Sequence, residues 1–211
     1  MNNLNDSVGG ANLEYGRVYY FTKDRFCCQY RAISLYEFYL PPGIYFSGDF
    51  TISAWIYLKS YDLYGNYILK FTQSWPRLDN GVIFKVLNGK ISLIVYNSNI
   101  TSNLTAPDSS VIGLNQWYHV AATLQNTTAS LYVNGALIKS GACFKPNSLT
   151  RYENTIELYG VIDDLKIYQG ALTANDVLND YTFSSYNGTL FNSCPATTTS
   201  SFIQSPLNGN N

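Results

Sequence analysis

The chain has 211 residues, of which 13% are charged and 16% are aromatic, and its formal net charge is -1. This length suits a single all-β domain with a sizeable core. With 13 basic residues against 14 acidic ones, the chain has no positive field for nucleic acid or an anionic membrane, so both are excluded as expected partners. The sequence contains no apolar run of about 18 residues and no signal-peptide pattern, so no membrane span is predicted.

Residues 1–11 are predicted to be a polar linker, 12–192 the folded domain and 193–211 a Thr/Ser/Asn-rich tail.

The N-terminal region contains two adjacent cysteines. The four cysteines, Cys27, Cys28, Cys143 and Cys194, lack metal-type spacing and are predicted to form disulfides, which favours an extracellular or cell-surface protein. The adjacent pair could reach Cys143 and Cys194; a vicinal bridge or free thiols are the alternatives.

The segment "FTISAWIYL" (50–58) is predicted to be a half-buried strand. Its apolar residues alternate with a second set that contains Trp55, as the period of two of a strand requires. Two loops follow, "SYDLYGNY" (60–67) and "TQSWPRLDNG" (72–81). We take Tyr64, Trp75 and Arg77 in these loops as candidate ligand-binding residues, because exposed aromatic side chains stack on sugar rings. The alternative is that Trp75 covers an edge of the core.

Two β-hairpins are predicted in the middle of the chain. Asn88-Gly89 and Asn134-Gly135 each lie between strand-like segments, and Asn-Gly tolerates the positive φ angles of a two-residue type I′ turn. Five N-x-[ST] sequons predict glycosylation sites, at Asn5, Asn99, Asn103, Asn126 and Asn187. The sequon at Asn126 is expected on an exposed turn.

The segment "GVIDDLKIYQGALTANDV" (160–177) places a carboxylate among apolar residues. A strict period of two puts Asp163 on the same side as Val161, Leu165 and Ile167. An ionised carboxylate turned inward costs several kcal/mol unless it is paired, so a bound Ca²⁺ or a full set of hydrogen bonds is expected, unless the strand end is exposed. Thr173 and Asp176 then form a capping-box pattern that predicts a short helix over "ANDVLNDY".

These segments, in this order, resemble the laminin-G-like, concanavalin-A-like jelly-roll family and its pentraxin-related branch. "YLPPGIYFSGDFTISAWIYL" resembles the opening strand pair of that branch, "LNQWYHVAATLQNTTASLYVNGALIKSG" its central hairpin and "GVIDDLKIYQGALTANDV" its closing strand and helix. The resemblance implies an all-β fold, a two-sheet antiparallel jelly-roll sandwich with one short C-terminal helix. It also implies that the first and last strands are adjacent, which fits a bridge between Cys27 or Cys28 and Cys194, and that Trp117 is a core residue.

The resemblance also implies a place for a structural Ca²⁺. Members of the branch often carry Phe-Asp-Gly near the first strand, whereas this chain has Phe21-Thr22-Lys23 and an acid only at Asp24. The predicted metal ligands are therefore Asp24 and Asp163. Apart from this Ca²⁺, no cofactor is expected.

The acidic residues do not form a recognisable catalytic pattern. None of the four glutamates lies in the Glu-x-Asp-x-x-Glu pattern of glycoside hydrolases of this fold, and Glu153 and Glu157 would be about 13 Å apart along a strand. The predicted function is a non-catalytic, lectin-like recognition or adhesion module that binds carbohydrate or an extracellular protein. The alternatives are a glycoside hydrolase using unrecognised acids such as Asp49 or Asp79, and a structural spacer in a larger surface protein.

Overall fold

The computed structural model describes residues 19–22, 32–35, 37–73 and 80–185. The described residues form thirteen strands and one helix: β1 Tyr19–Thr22, β2 Ala32–Leu35, β3 Phe38–Tyr39, β4 Phe50–Leu58, β5 Asn66–Thr72, β6 Val82–Leu87, β7 Lys90–Asn97, β8 Ile100–Thr105, β9 Trp117–Gln125, β10 Thr128–Val133, β11 Ala136–Ala142, β12 Glu153–Glu157, β13 Gly160–Tyr168 and α1 Ala174–Ser185. No helix among these residues is long and apolar enough to span a bilayer.

The strands form two antiparallel sheets that pack face to face, which confirms the predicted jelly-roll sandwich. The seven-stranded sheet has the order β1-β2-β13-β4-β9-β10-β11, and the six-stranded sheet has the order β3-β12-β5-β6-β7-β8. The last strand, β13, pairs with β2 rather than with β1. The expected adjacency of the first and last strands is therefore wrong by one strand, because β1 continues the sheet beyond β2.

The core lies between the two sheets and is built from alternate residues of each strand. In β4 the inward residues are those that the sequence pattern predicted, including Phe50, Ile52 and Ile56, and all three have no exposed surface. From the other sheet, Phe71 and Phe84 meet them. Burying a side chain of this size contributes about 1.5 to 3 kcal/mol, so the interface between the sheets is the main source of stability.

Two tight turns have the predicted geometry. Asn88 and Gly89 have φ angles of 51° and 75°, and Asn134 and Gly135 have 49° and 76°, so both Asn-Gly pairs adopt the positive φ values of a type I′ turn. They join β6 to β7 and β10 to β11 without a longer loop. The hairpins thus fix the register of four strands from local sequence.

The helix α1 covers the outer face of the seven-stranded sheet. The predicted capping box is present at its start: Asp176 N–H donates to Thr173 Oγ1 at 3.2 Å, and Thr173 N–H donates to Asp176 Oδ2 at 3.0 Å. Val177 then packs on Ala121 and Tyr132 of the sheet. The helix thus covers part of this face, whereas the outer face of the six-stranded sheet carries no helix among the described residues.

A buried ionic network holds α1 in place. The carboxylate of Asp180 accepts hydrogen bonds from Ser53 Oγ at 2.8 Å, Lys166 Nζ at 2.5 Å and His119 Nε2 at 3.3 Å. Burial alone would raise the pKa of Asp180, but these three donors together hold it well below its ordinary value. His119 is 1% exposed and takes part in this structural network, so the helix is anchored by charge as well as by packing.

Candidate functional site

The outer face of the six-stranded sheet carries a row of polar and aromatic side chains. Cross-strand pairing places them side by side, and antiparallel partners project on the same side of a sheet, one strand spacing of about 4.8 Å apart. The alternate positions of these strands supply the core, so the row faces outward. In order across the sheet it consists of Glu157, Tyr67, Lys85, Ser92 and Thr105.

Two shallow depressions lie on this face. One, which we call the tyrosine cleft, has a volume of about 260 Å³ and is lined by Glu37, Asp62, Tyr64, Gly65, Tyr67, Glu157 and Tyr159. The other, which we call the lysine depression, has a volume of about 270 Å³ and is lined by Lys85, Leu87, Asn88, Lys90, Ser92, Ile94, Asn103 and Thr105. They are neighbours, because Tyr67 of one and Lys85 of the other are cross-strand partners, and we call the two depressions together the groove.

The tyrosine cleft combines exposed aromatic rings with carboxylates. Tyr64 is 74% exposed and Tyr159 is 38% exposed, so both rings are available to a ligand. Tyr67 lies between two ammonium groups, with Lys70 Nζ at 5.2 Å and Lys85 Nζ at 5.3 Å from its ring centroid. Burial, followed by the negative charge of Glu157, raises the pKa of Tyr67, so its hydroxyl remains protonated.

Backbone and amide hydrogen bonds fix the loop that presents Tyr64. Asp62 Oδ1 accepts from the N–H of Tyr64 at 2.8 Å, and the N–H of Gly65, which has a φ of 104°, donates to the carbonyl of Asp62 at 3.2 Å. Buried Asn66 joins this loop to the opposite wall: its Nδ2 donates to the carbonyl of Ser60 and its Oδ1 accepts from the N–H of Tyr159 at 2.7 Å. These bonds therefore link the backbone segments that carry the two exposed tyrosines.

The carboxylates of the cleft are engaged with the protein. Glu157 Oε1 accepts from Lys70 Nζ at 2.7 Å and from Thr155 Oγ1 at 2.6 Å. Glu37 Oε1 accepts from Tyr39 O–H at 2.7 Å. Each carboxylate oxygen has further lone pairs, so these groups are positioned to accept hydrogen bonds from hydroxyl groups of a ligand.

The predicted ligand-binding residues divide into two groups. Tyr64 lies on the wall of the tyrosine cleft, as described above. Trp75 and Arg77 lie outside the described residues, as do the predicted metal ligand Asp24 and the alternative catalytic residue Asp79. Asp49, the other alternative, is half-buried and forms an ion pair with Lys145 at 2.8 Å, which indicates a structural role between loops.

Asp163 is buried, as predicted, but it does not point into the core between the sheets. It pairs with Trp55, whose side chain lies on the outer face of the seven-stranded sheet. A bulge follows, in which Asp164 has a φ of 50° and donates its N–H to Asp163 Oδ1 at 2.9 Å. The extra residue moves Leu165 and Ile167 to the core side, so the assumption of a strict period of two was wrong.

The described residues do not complete a metal site. No group of three His, Cys, Asp or Glu side chains that could hold an ion occurs in the described ranges. Asp24, the other predicted oxygen ligand of Ca²⁺, lies outside those ranges. The calcium site at Asp24 and Asp163 therefore stays a prediction.

Cys143 is a free thiol in the structure, in contrast to the predicted disulfide. Its side chain is 3% exposed and belongs to the core cluster, and Sγ–H donates to the carbonyl of Phe144 at 3.6 Å. The thiol faces the apolar interior, and burial raises its pKa. Cys27, Cys28 and Cys194 lie outside the described residues, so any pairing among them stays a prediction.

The sequons lie in different environments. Asn126 is on the exposed turn between β9 and β10, as expected, and its N–H donates to Asp49 Oδ1 at 2.9 Å. Asn99 is on the exposed turn between β7 and β8. Asn103 lines the lysine depression, while Asn5 and Asn187 lie outside the described residues. Glycosylation of these residues remains a prediction.

The sequence did not reveal Tyr159, Glu37 or Glu157 as members of the site. Glu37 and Glu157 lie 120 positions apart in the chain and come together because β12 pairs with β3. Trp117 was expected in the core, but it is only half-buried and packs on Tyr57 on the outer face of the seven-stranded sheet, with ring centroids 5.6 Å apart. Strand pairing, which local patterns do not contain, accounts for both differences.

Comparison with known proteins gives the same fold. Domain 4 of AbnA, a GH43 extracellular arabinanase from Geobacillus stearothermophilus solved with arabinotriose, is 20% identical with a TM-score of 0.68, over 84% of this chain and 92% of that one. A sialidase CBM40 from Ruminococcus gnavus bound to alpha2,3 sialyllactose is 14% identical with a TM-score of 0.56, over 65% of this chain and 85% of that one.

The botulinum neurotoxin serotype G binding domain is 18% identical with a TM-score of 0.65, over 86% of this chain and 48% of that one, so the chain spans about half of that domain. No curated protein sequence matches the chain significantly. The family model Laminin_G_3, described as Concanavalin A-like lectin/glucanases superfamily, matches residues 37–178. The chain therefore belongs to the Laminin_G_3 family of the concanavalin A-like lectin/glucanases superfamily.

Proposed function

We propose that this domain is a non-catalytic, extracellular carbohydrate-binding module. Its binding surface is the groove on the outer face of the six-stranded sheet, and the tyrosine cleft makes the main contact. The observation that carries the proposal is that two exposed tyrosines, Tyr64 and Tyr159, line the same cleft as three carboxylates. Aromatic faces stack on the apolar faces of sugar rings, while carboxylates accept hydrogen bonds from the sugar hydroxyls.

The shape of the groove supports an elongated ligand. Each depression is smaller than the roughly 300 to 1,000 Å³ of an enclosed small-molecule pocket, and the two lie next to each other on an open sheet face. A chain of linked sugars can occupy both depressions without being enclosed. Two of the similar structures were solved with arabinotriose and sialyllactose, which fits an oligosaccharide ligand here.

The charges of the cleft favour binding over hydrolysis. Glycoside hydrolysis needs one carboxylic acid that donates a proton and one carboxylate that acts as a nucleophile or base. Glu157 is neutralised by Lys70 and Asp62 caps its own loop, so both act as fixed acceptors. We therefore assign these residues to ligand positioning.

A glycan array followed by calorimetry tests the proposal. We expect one or more oligosaccharides to bind, and we expect Tyr64→Ala and Tyr159→Ala each to weaken binding about two- to tenfold, since a lost aromatic contact costs about 0.5 to 1.5 kcal/mol. Tyr152→Ala is the matched control, because Tyr152 is 62% exposed but does not line the groove. Equal losses in all three variants would contradict the proposed site.

A turnover assay on the same oligosaccharides separates a binding module from an enzyme. We expect no release of reducing ends. Release that stops in Glu37→Gln or Glu157→Gln would overturn the non-catalytic assignment and identify those residues as the acids.

A further inference from the structure

The lysine depression differs from the tyrosine cleft in its charge. Lys85 and Lys90 line it together with the neutral polar groups of Ser92, Asn103 and Thr105, and its described lining includes no carboxylate. The cleft beside it contains Glu37, Asp62 and Glu157. The groove therefore has an acidic, aromatic half and a basic half.

Lys85 contributes a positive charge that no carboxylate of the described residues neutralises. Among the described residues, its Nζ donates to the carbonyl of Tyr64 at 3.2 Å and lies over the ring of Tyr67, but it forms no ion pair. Its partial burial lowers its pKa, because burial removes part of the hydration of the ammonium group. An anionic ligand group would supply that compensation.

Lys90 lies on the next strand, and an anionic ligand can bind its ammonium group at little cost in free energy. Its ion pair is with Asp108, whose side chain is 88% exposed. Exposed pairs of this kind contribute about 0 to 1 kcal/mol, so a ligand anion can compete with Asp108 for the ammonium group.

The neutral groups of the depression form a directed chain of hydrogen bonds. Thr105 Oγ1 donates its single proton to Asn103 Oδ1 at 3.1 Å, so Ser92 Oγ, at 3.0 Å from Thr105 Oγ1, is the donor in that contact. Asn103 also carries its Nδ2 amide group, which is a hydrogen-bond donor. The depression thus presents donors beside its two cations.

We propose that the lysine depression is a subsite for the anionic group, a carboxylate or a sulfate, of an acidic sugar whose neutral neighbour occupies the tyrosine cleft. This inference rests on the proposed function. Lys85 lies two strand spacings, about 10 Å, from Glu157, a distance that a pair of linked sugar rings covers. The carboxylates of Glu37 and Asp62 disfavour an anion in the tyrosine cleft, so the charge distribution also fixes the direction in which the oligosaccharide lies.

An array that carries each oligosaccharide in carboxylated, sulfated and neutral forms tests this subsite, and calorimetry follows on the best matched set. We expect an anionic form to bind about tenfold more tightly than its neutral counterpart, as one charge-assisted contact allows, and we expect added salt to reduce that ratio. The carboxylated and sulfated forms show which anion the subsite prefers.

Variants are compared by the ratio of anionic to neutral affinity. Lys85→Gln and Lys90→Gln should each reduce the ratio, whereas Lys139→Gln, at an exposed lysine of β11, should leave it unchanged. Because Lys85 also supports the carbonyl of Tyr64, its loss can weaken both forms together, and the ratio removes that effect.

The outcomes separate the two proposals. Equal binding of the neutral and anionic forms, or a ratio that neither lysine variant changes, overturns the anionic subsite and leaves the carbohydrate-binding function intact. Failure of every saccharide to bind overturns the proposed function, and the subsite with it.

Discussion

Arg151 is expected to be the most sensitive single position in the described part of the chain. Its side chain has no exposed surface and lies over the ring of Phe46, and no ion pair joins it to a carboxylate of the described residues. It donates to four backbone carbonyls: to Asn80 O at 2.9 Å and Asn147 O at 3.0 Å, and to Phe46 O and Leu149 O at 3.4 Å. Burial lowers its pKa to about 10, which still leaves it charged at neutral pH.

Arg151→Met keeps most of the volume and removes the donors. Loss of the two short hydrogen bonds leaves two buried carbonyl groups unpaired, each at a cost of about 1 to 3 kcal/mol in stability. Loss of the two long bonds adds little. We therefore expect a loss of about 4 kcal/mol in the free energy of unfolding, or roughly 8 to 16 °C in Tm for a domain of this size. Such a loss is a large part of the roughly 5 to 15 kcal/mol that stabilises a typical domain.

Urea denaturation followed by circular dichroism measures this loss. Lys139→Met is the control, because it removes the same charge from an exposed position and should change the free energy by less than about 0.5 kcal/mol. Arg151→Lys should recover only part of the loss, since an ammonium group cannot reach all four carbonyls. If Arg151→Met is within about 1 kcal/mol of wild type, our reasoning on the buried guanidinium is refuted.

Three further predictions concern charge and modification. The pKa of Asp180 is held below its ordinary value of 3.8, so its contribution to stability is present above pH 3.8 and is lost as the pH falls further. Asp180→Asn should therefore reduce the loss of stability at acid pH in a plot of unfolding free energy against pH. An unchanged loss at acid pH would argue against the network. If Asp163 holds structural Ca²⁺ with Asp24, the Tm is higher in calcium than in EDTA, and Asp163→Asn abolishes this difference. A Tm that is the same in calcium and in EDTA contradicts the metal site. A glycan on Asn103 would fill the lysine depression, so protein produced in a glycosylating host should bind anionic saccharides more weakly than protein produced in bacteria. Equal affinity of the two, with Asn103 shown to be modified in the first, would contradict the placement of the anionic subsite in this depression.

Local patterns in the sequence were sufficient for most of the fold. The alternation in residues 50–58 gives the bounds and the inward side of β4, and the two Asn-Gly pairs give the hairpins. The capping box at Thr173 gives the start of α1. In each case the information lies within a few neighbouring residues, where backbone preferences and side-chain period act directly.

The bulge at Asp163 and Asp164 could not be predicted from the same kind of pattern. The bulge adds one residue to β13 opposite β4, and only the pairing between the two strands shows it. A strict period of two therefore gave the right burial for Asp163 and the wrong side of the sheet. Gly160 marks the close approach of the strands, since an added Cβ would lie 2.0 Å from the carbonyl oxygen of Tyr57.

The candidate site was predicted only in part for the same reason. Tyr64 could be recognised because a tyrosine-rich loop is a local feature. Tyr159 and Glu37 join it through the pairing of β12 with β5 and β3, and β12 lies more than 80 residues further along the chain than either of them. The contrast between an acidic and a basic half of the groove emerges only when the strands are in register.

The most direct test of the carbohydrate-binding groove is a map of backbone amide chemical-shift changes when the best oligosaccharide from the array is added. We predict that the largest changes occur at Tyr64, Tyr67 and Tyr159, and that they extend across Lys85. Changes centred instead on Tyr57 and Trp117, on the outer face of the seven-stranded sheet, would contradict the account.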